Sequence, residues 1–281
     1  MQVPDLLRRY GLHPQKNLGQ NFLVDQAALE RVVHAAGLEP GESVLEIGPG
    51  LGSLTCRLAE AARRVVCVEL DPKLLPPLQE ALQPYSNVTV IQGDILALDP
   101  SELMAEAGQP SPYLVVANIP YTITSALIRH LLESRTPPQR VVLTVQREVA
   151  ERICAAPGEL STLALSVQVY GQPQIAAYIP AGAFYPPPKV DSAVIRVTLY
   201  PEPLIPRGQL ATFFRLAKAG FSQKRKTLRN ALSGGMHWPT AQTEEMLEAA
   251  GIDPMRRAET VRLEEWQRLV EVAERLTPKD Q

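Results

Sequence analysis

The sequence predicts an α/β protein: a doubly wound, Rossmann-like domain built on a parallel sheet, followed by a small C-terminal helical domain. Three observations carry this. Short β-branched runs alternate with helix-compatible stretches, a glycine-rich turn follows the first run, and beyond about residue 205 only helical patterning remains.

Taken in order, the runs 43–47, 64–70, 88–91, 114–117 and 140–145 are each bounded by Gly, Pro, Asn or Asp and read as buried strands. Between them, 53–62, 73–82 and 125–133 suit helices, and that β-α rhythm requires parallel strands with covering helices. After Val145 the rhythm changes: a helix is expected over 160–169, then extended runs over 174–179 and 193–199, separated by Tyr185-Pro186-Pro187-Pro188. These two runs suit a hairpin at the end of the sheet. Pro201, Pro203 and Pro206 punctuate the chain, and helices are expected over 209–232, 243–250 and 263–276. The boundary is placed at residue 205, giving domains 1–204 and 205–281.

A chain of 281 residues with 45% hydrophobic and 21% charged side chains fits one large α/β domain with an appendage and argues against disorder. Cys56, Cys67 and Cys154 are odd in number and widely spaced, so they suggest neither a disulfide framework nor a zinc site; a reducing cytoplasm and no metal are expected. No apolar run approaches a membrane span, and Asp5, Arg8 and Arg9 stand where a signal peptide needs an apolar stretch. Net charge is only −2, yet seven basic residues fall between Arg207 and Arg229, and no acidic residue lies between Glu202 and Glu244.

The first strand runs into Glu46-Ile47-Gly48-Pro49-Gly50-Leu51-Gly52 and a helix follows, the setting a nucleotide-binding glycine loop needs. Gly48 and Gly50 let a ligand approach the backbone. Glu69, 21 residues after Gly48, ends the second strand, where a carboxylate accepts both ribose hydroxyls. A dehydrogenase prefers a third glycine where Ser53 stands, and no acid-base motif accompanies the loop, so the pattern favours S-adenosylmethionine over a nicotinamide. Asp94 ends the third strand, positioned for the adenine amine, and Asn118 ends the fourth.

Asn118-Ile119-Pro120-Tyr121 carries the chemistry. A purine exocyclic amine is a poor nucleophile because its lone pair is delocalised, and acceptors for its N–H groups favour a pyramidal nitrogen. The Asn118 side-chain oxygen is one acceptor; the Ile119 carbonyl, held by the fixed torsion of Pro120, is a second. Tyr121 offers a face for an extruded base, with Phe184 a candidate second stacking surface. No strong general base is required, since the methylated nitrogen sheds its proton readily.

These motifs, with Gln20-Asn21-Phe22-Leu23 upstream, resemble the ribosomal RNA adenine N6-dimethyltransferase family. The segment from Phe184-Tyr185-Pro186-Pro187-Pro188 to Val194, Gln223-Lys224-Arg225-Lys226-Thr227-Leu228-Arg229-Asn230, and Gly251-Ile252-Asp253-Pro254 with Arg257-Ala258-Glu259 resemble its small-subunit branch. The resemblance spans about residues 15–275. It implies methylation, twice each, of two adjacent adenines near the 3′ end of small-subunit RNA within an assembling subunit, by a monomer. It also implies that Asn21 and Leu23 join the cofactor pocket as an N-terminal flap; from the residues alone, Gln20-Asn21-Phe22 reads as a helix start. The chain departs from the family at Ile119, where leucine is usual, and at Leu160-Ser161, which replaces a common Tyr-Gly.

On a helix over 209–232, Arg215, Lys218, Ser222, Arg225 and Arg229 would share one face, while Phe214, Ala217, Phe221, Leu228 and Leu232 share another. Phosphate binding through Lys218, Lys224, Arg225, Lys226 and Arg229 accounts for a basic face without interspersed acids. The competing readings are methylation of adenine in large-subunit RNA or DNA, opposed by the Gly251–Glu259 resemblance, and a non-catalytic RNA-binding factor, opposed by the intact loop with Asn118 and Tyr121.

Overall fold

Apolar runs flanked by turn residues become strands here because burial on both faces suits Val, Ile and Leu. In the computed structural model, which describes residues 3–109 and 112–276, the chain begins with α1 (Val3–Arg9), β1 (Phe22–Leu23), α2 (Gln26–Ala36), β2 (Ser43–Ile47) and α3 (Ser53–Ala61). It continues through β3 (Arg64–Glu69), α4 (Leu75–Leu82), β4 (Val88–Gln92), α5 (Pro100–Glu106), β5 (Leu114–Asn118), α6 (Thr124–Leu132) and β6 (Arg140–Gln146). Then come α7 (Arg147–Ile153), α8 (Thr162–Gln168), β7 (Gly171–Ile179), β8 (Phe184–Tyr185) and β9 (Ser192–Leu199). Four helices end the chain: α9 (Leu210–Gly220), α10 (Leu228–Met236), α11 (Thr240–Ala249) and α12 (Leu263–Leu276).

Seven strands form one sheet in the order β4-β3-β2-β5-β6-β9-β7. The pairs from β4 to β6 are parallel, and β9 joins β6 antiparallel with Val142 opposite Arg196. The two late extended runs thus lie side by side at the sheet's end, as expected. Separately, β1 pairs antiparallel with β8, Phe22 opposite Tyr185 and Leu23 opposite Phe184. β2 is buried along its whole length, and Leu29, Val32, Leu54 and Leu58 from α2 and α3 pack with Val44 and Val65 in a common core.

The residues Gln20-Asn21-Phe22 do not start a helix. Phe22 and Leu23 are committed to the β8 pairing, and α2 starts after Asp25, whose side chain accepts from the Ala28 N–H at 2.8 Å. Asp99 starts α5 in the same way, with Pro100 in the first turn.

The contacts divide the chain into two units, 1–150 with 173–199, and 151–172 with 200–281. The second unit therefore includes a segment that a single cut at residue 205 assigns to the first. Backbone bonds hold it there: Gly158 N–H to Glu259 O at 2.8 Å, Tyr200 N–H to Tyr170 O and Leu204 N–H to Val169 O, both at 2.9 Å. Leu160 is buried and Ser161 caps α8 through the Ala164 N–H at 3.2 Å, a local role for the Leu160-Ser161 departure.

The expected helix over 209–232 is two helices. α9 stops at Gly220, where a Cβ would sit 2.8 Å from the fully buried Trp266 ring, and α10 restarts after Thr227. The first N–H groups of α10, from Leu228 and Arg229, donate to Arg256 O and Pro254 O at 2.6 and 3.2 Å, so a distant loop replaces the missing turn of helix. On α9 the buried residues are Phe213, Leu216, Ala217, Ala219 and Gly220, while Phe214 is half-buried and stacks on Tyr170.

Candidate active site

At the carboxyl end of β2 the chain turns through Gly48, Gly50 and Gly52, all with positive φ (68°, 59° and 84°). The glycines are not equivalent. A Cβ on Gly48 would meet nothing within 4 Å, so this backbone borders open space, whereas one on Gly52 would lie 3.1 Å from Leu78 Cδ1. The first glycine leaves room for a ligand; the last lets α3 approach α4.

Glu69, only 5% exposed at the end of β3, accepts from the Gly50 N–H at 3.0 Å and the Asp71 N–H at 2.8 Å, one on each carboxylate oxygen. Burial pushes its carboxyl up, against those two donors. Each oxygen keeps a lone pair for a further donor. Asp94 is exposed, with one oxygen accepting from the Leu96 N–H at 2.9 Å.

Asn118 ends β5, and its Nδ2 donates to the Asn21 carbonyl at 3.1 Å. A carbonyl can face only the amide's donor side, so this contact fixes which way the amide points and leaves Oδ1 as an acceptor. Ile119 is buried, Pro120 has φ −59° and ψ 132°, and the Tyr121 hydroxyl shares a 2.6 Å hydrogen bond with Ser192 Oγ. Phe184 is buried on β8.

One cleft of about 1040 Å³, counted out to its open mouth, brings these together: Asn21, Leu23, Gly48, Gly50, Glu69, Asp94, Asn118, Ile119, Pro120, Tyr121 and Phe184 all line it. Its lining mixes the apolar Phe22, Leu51 and Ile95 with the acceptors of Glu69 and Asp94.

Two features of the site were not foreseen. Asp71, 5% exposed, accepts from Gln15 Nε2 at 2.8 Å and Gln20 Nε2 at 3.0 Å, latching the segment before β1 to the end of β3. Glu46, 1% exposed on β2, accepts from Cys67 Sγ at 3.5 Å, and burial pushes its carboxyl up to about 7. The signal for Glu46 was present: a lone charge inside Val44-Leu45-Glu46-Ile47.

The basic residues of the C-terminal unit do not share one helix face. Lys218 is exposed on α9, whereas Lys224, Arg225 and Lys226 are exposed on the connection to α10 and with Gln223 line a shallow depression. Arg229, on α10, is ion-paired with Glu244 of α11 at 3.0 Å. The acid-free stretch in sequence is thus partly neutralised in space by the next helix. Among the described residues no helix is long and apolar enough to cross a membrane.

Known proteins resemble the chain along nearly its whole length. The family profile described as ribosomal RNA adenine dimethylase matches residues 12–275. Ribosomal RNA small subunit methyltransferase A of Dehalococcoides mccartyi (strain CBDB1) is 45% identical over 269 residues, covering 95% of this chain and 91% of that one. The protein of the same name from Alkaliphilus metalliredigens is 42% identical over 274 residues, covering 96% of each. Among solved structures, a dimethyladenosine transferase from Plasmodium falciparum superposes with TM-score 0.76 at 25% identity, covering 90% of this chain and 98% of that one. The 23S rRNA methyltransferase ErmE does so with TM-score 0.71 at 31% identity, covering 90% and 99%.

Proposed function

The chain belongs to the ribosomal RNA adenine dimethylase family, transferring methyl groups to adenine in ribosomal RNA, and from that premise we propose how its cleft does so and on which RNA. S-adenosylmethionine is the methyl donor, and the cleft's acceptors and open floor suit it. Glu69 accepts from the ribose hydroxyls with its remaining lone pairs, Asp94 takes the adenine amine, and the open side of Gly48 admits the ligand against the backbone. Gly50, Asn21 and Leu23 complete this part of the pocket. Bound there, S-adenosylmethionine supplies an electrophilic methyl group on a sulfonium.

The chain's own residues prepare the nucleophile. Asn118 Oδ1, oriented by the Nδ2 contact to Asn21, and the Ile119 carbonyl, set by Pro120, accept the two N–H groups of the target amine, drawing its lone pair out of conjugation. Tyr121 and Phe184 hold the flipped base between aromatic surfaces, and Tyr121 is anchored by Ser192. The convergence of these groups on one cleft with Glu69 and Gly48 carries the reading.

The substrate is small-subunit RNA in an assembling subunit, at two adjacent adenines near the 3′ end, each methylated twice. The names of the relatives at 42–45% identity support the choice of the small subunit, beside 31% for the large-subunit enzyme, and the two adjacent adenines follow from the motif resemblance. Lys218, Lys224, Arg225 and Lys226 grip phosphates, with Arg229 contributing less because Glu244 holds it. The first unit carries the chemistry and the second the RNA grip, in a cytoplasmic monomer. The test is to incubate the protein with labelled S-adenosylmethionine and unmethylated small or large subunits and to map the label. Label confined to two adjacent small-subunit adenines is expected; label on large subunits alone would refute the assignment.

A further inference from the structure

Arg147 and Tyr178 form a surface pair that the site described above leaves unused. The Arg147 guanidinium carbon lies 5.1 Å from the centre of the Tyr178 ring, yet the tyrosine remains 50% exposed and Arg147 is exposed as well. Tyr178 stands on β7, the edge strand of the sheet, among the alternate residues 172, 174, 176 and 178 that face solvent. Its backbone carbonyl accepts from Arg31 Nη1 at 3.2 Å.

Backbone bonds tie this pair to the cleft. Arg147 directly follows β6, and its N–H donates to Asp191 O at 3.0 Å. The next residue, Ser192, is opposite Gln146 in the β6–β9 ladder and holds the Tyr121 hydroxyl at 2.6 Å. The dipeptide Asp191-Ser192 therefore links the pair to an aromatic wall of the cleft, at the carboxyl end of β6, where open α/β sheets bind their ligands.

A half-exposed aromatic ring beside a guanidinium suits a nucleobase, which stacks on it, and a phosphate, which the cation attracts. An RNA strand that extrudes one base also leaves the neighbouring base unstacked, in need of another surface. We infer that Arg147 and Tyr178 are positioning residues that stack the nucleotide next to the adenine held in the cleft, fixing the register of the strand. The inference rests on the RNA-methylation reading above and adds to it.

Steady-state methylation of unmethylated small subunits by wild type, Tyr178→Ala, Tyr178→Leu and Tyr178→Trp tests it. Alanine and leucine should each raise KM for the RNA roughly tenfold, with kcat and S-adenosylmethionine affinity unchanged, and tryptophan should restore wild-type KM. Leucine would rescue a merely structural contact but cannot stack. Wild-type KM in the alanine variant, or rescue by leucine equal to that by tryptophan, overturns the platform while leaving the methylation reading intact. A wild type that methylates no subunit overturns both.

Discussion

Replacing Gly48 and Gly52 separately by alanine should divide ligand binding from packing, although the two glycines lie four residues apart in one turn. Both have positive φ, so each alanine carries about 1–2 kcal/mol of left-handed backbone strain. For Gly48→Ala that is the whole cost to the fold, since no atom lies within 4 Å of the added Cβ. The methyl instead occupies the floor of the cleft, and S-adenosylmethionine affinity should fall at least about tenfold, or about 1.4 kcal/mol. In Gly52→Ala the Cβ lies 3.1 Å from Leu78 Cδ1 and 3.5 Å from Ala81 Cβ, beneath a leucine with no exposure, and overpacking adds about 1–3 kcal/mol. At about 2–4 °C per kcal/mol, the melting temperature should drop by roughly 2–8 °C for Gly48→Ala and further for Gly52→Ala. Calorimetric titration with the cofactor and a thermal melt of each variant decide the matter. Unchanged affinity in a folded Gly48→Ala variant would show that no ligand lies against this backbone, and a larger melting shift there than at Gly52 would refute the packing account.

Asn118→Ala should keep RNA affinity and lose on the order of 10²–10³ in single-turnover rate, because its oxygen acts as charge develops on the amine; wild-type rates would remove it from the mechanism. Glu69→Gln should weaken S-adenosylmethionine binding by roughly 1.5–3 kcal/mol by calorimetry, since a charge-assisted acceptor becomes a donor on one side; an unaltered dissociation constant in a folded variant would exclude Glu69 from ribose contact. Glu46, pushed up to about 7 from 4.5, keeps its proton in the folded chain when the unfolded chain has lost it. Its stabilising contribution is therefore full below about pH 4.5 and falls as pH rises to about 7, by up to roughly 3 kcal/mol, and urea unfolding of Glu46→Gln should lack this decline; parallel curves would contradict it. The double variant Lys224→Ala, Arg225→Ala should lower the magnitude of the log affinity versus log salt slope on subunits by roughly 1.4–1.8, and Arg229→Ala by less, since Glu244 already pairs with it at 3.0 Å.

What the sequence disclosed followed local rules. The strands from β2 to β6 lie where β-branched runs meet turn residues, and Glu69, Asp94 and Asn118 stand at strand ends because a parallel sheet puts all its carboxyl ends on one edge. Asn21 and Leu23 became legible only through family resemblance; their place depends on pairing between β1 and β8, which are far apart in the chain. The Asp71 latch had no signal, because glutamine side chains reaching an aspartate across some fifty residues leave no periodicity. The basic helix failed for a related reason. Periodicity continues across 221–227, but Gly220 under Trp266 and the Arg256 carbonyl at the Leu228 N–H stop and restart the helix, and both partners lie beyond residue 250.

The position of β9 in the sheet bears on the protein's synthesis. β7 precedes β9 in the chain but borders only β9, which in turn fills the open edge of β6. Until residues 192–199 leave the ribosome, β6 has one side unpaired and β7 has no strand to join. The aromatic wall has the same timetable, since Tyr121 depends on Ser192 and Phe184 lies on the segment just before it. A chain truncated before residue 192 would carry the glycine loop, Glu69 and Asn118 intact, yet expose an apolar strand edge of the kind that aggregates. Cofactor site and folded sheet are therefore completed at different times, β6 keeping an open edge until β9 arrives.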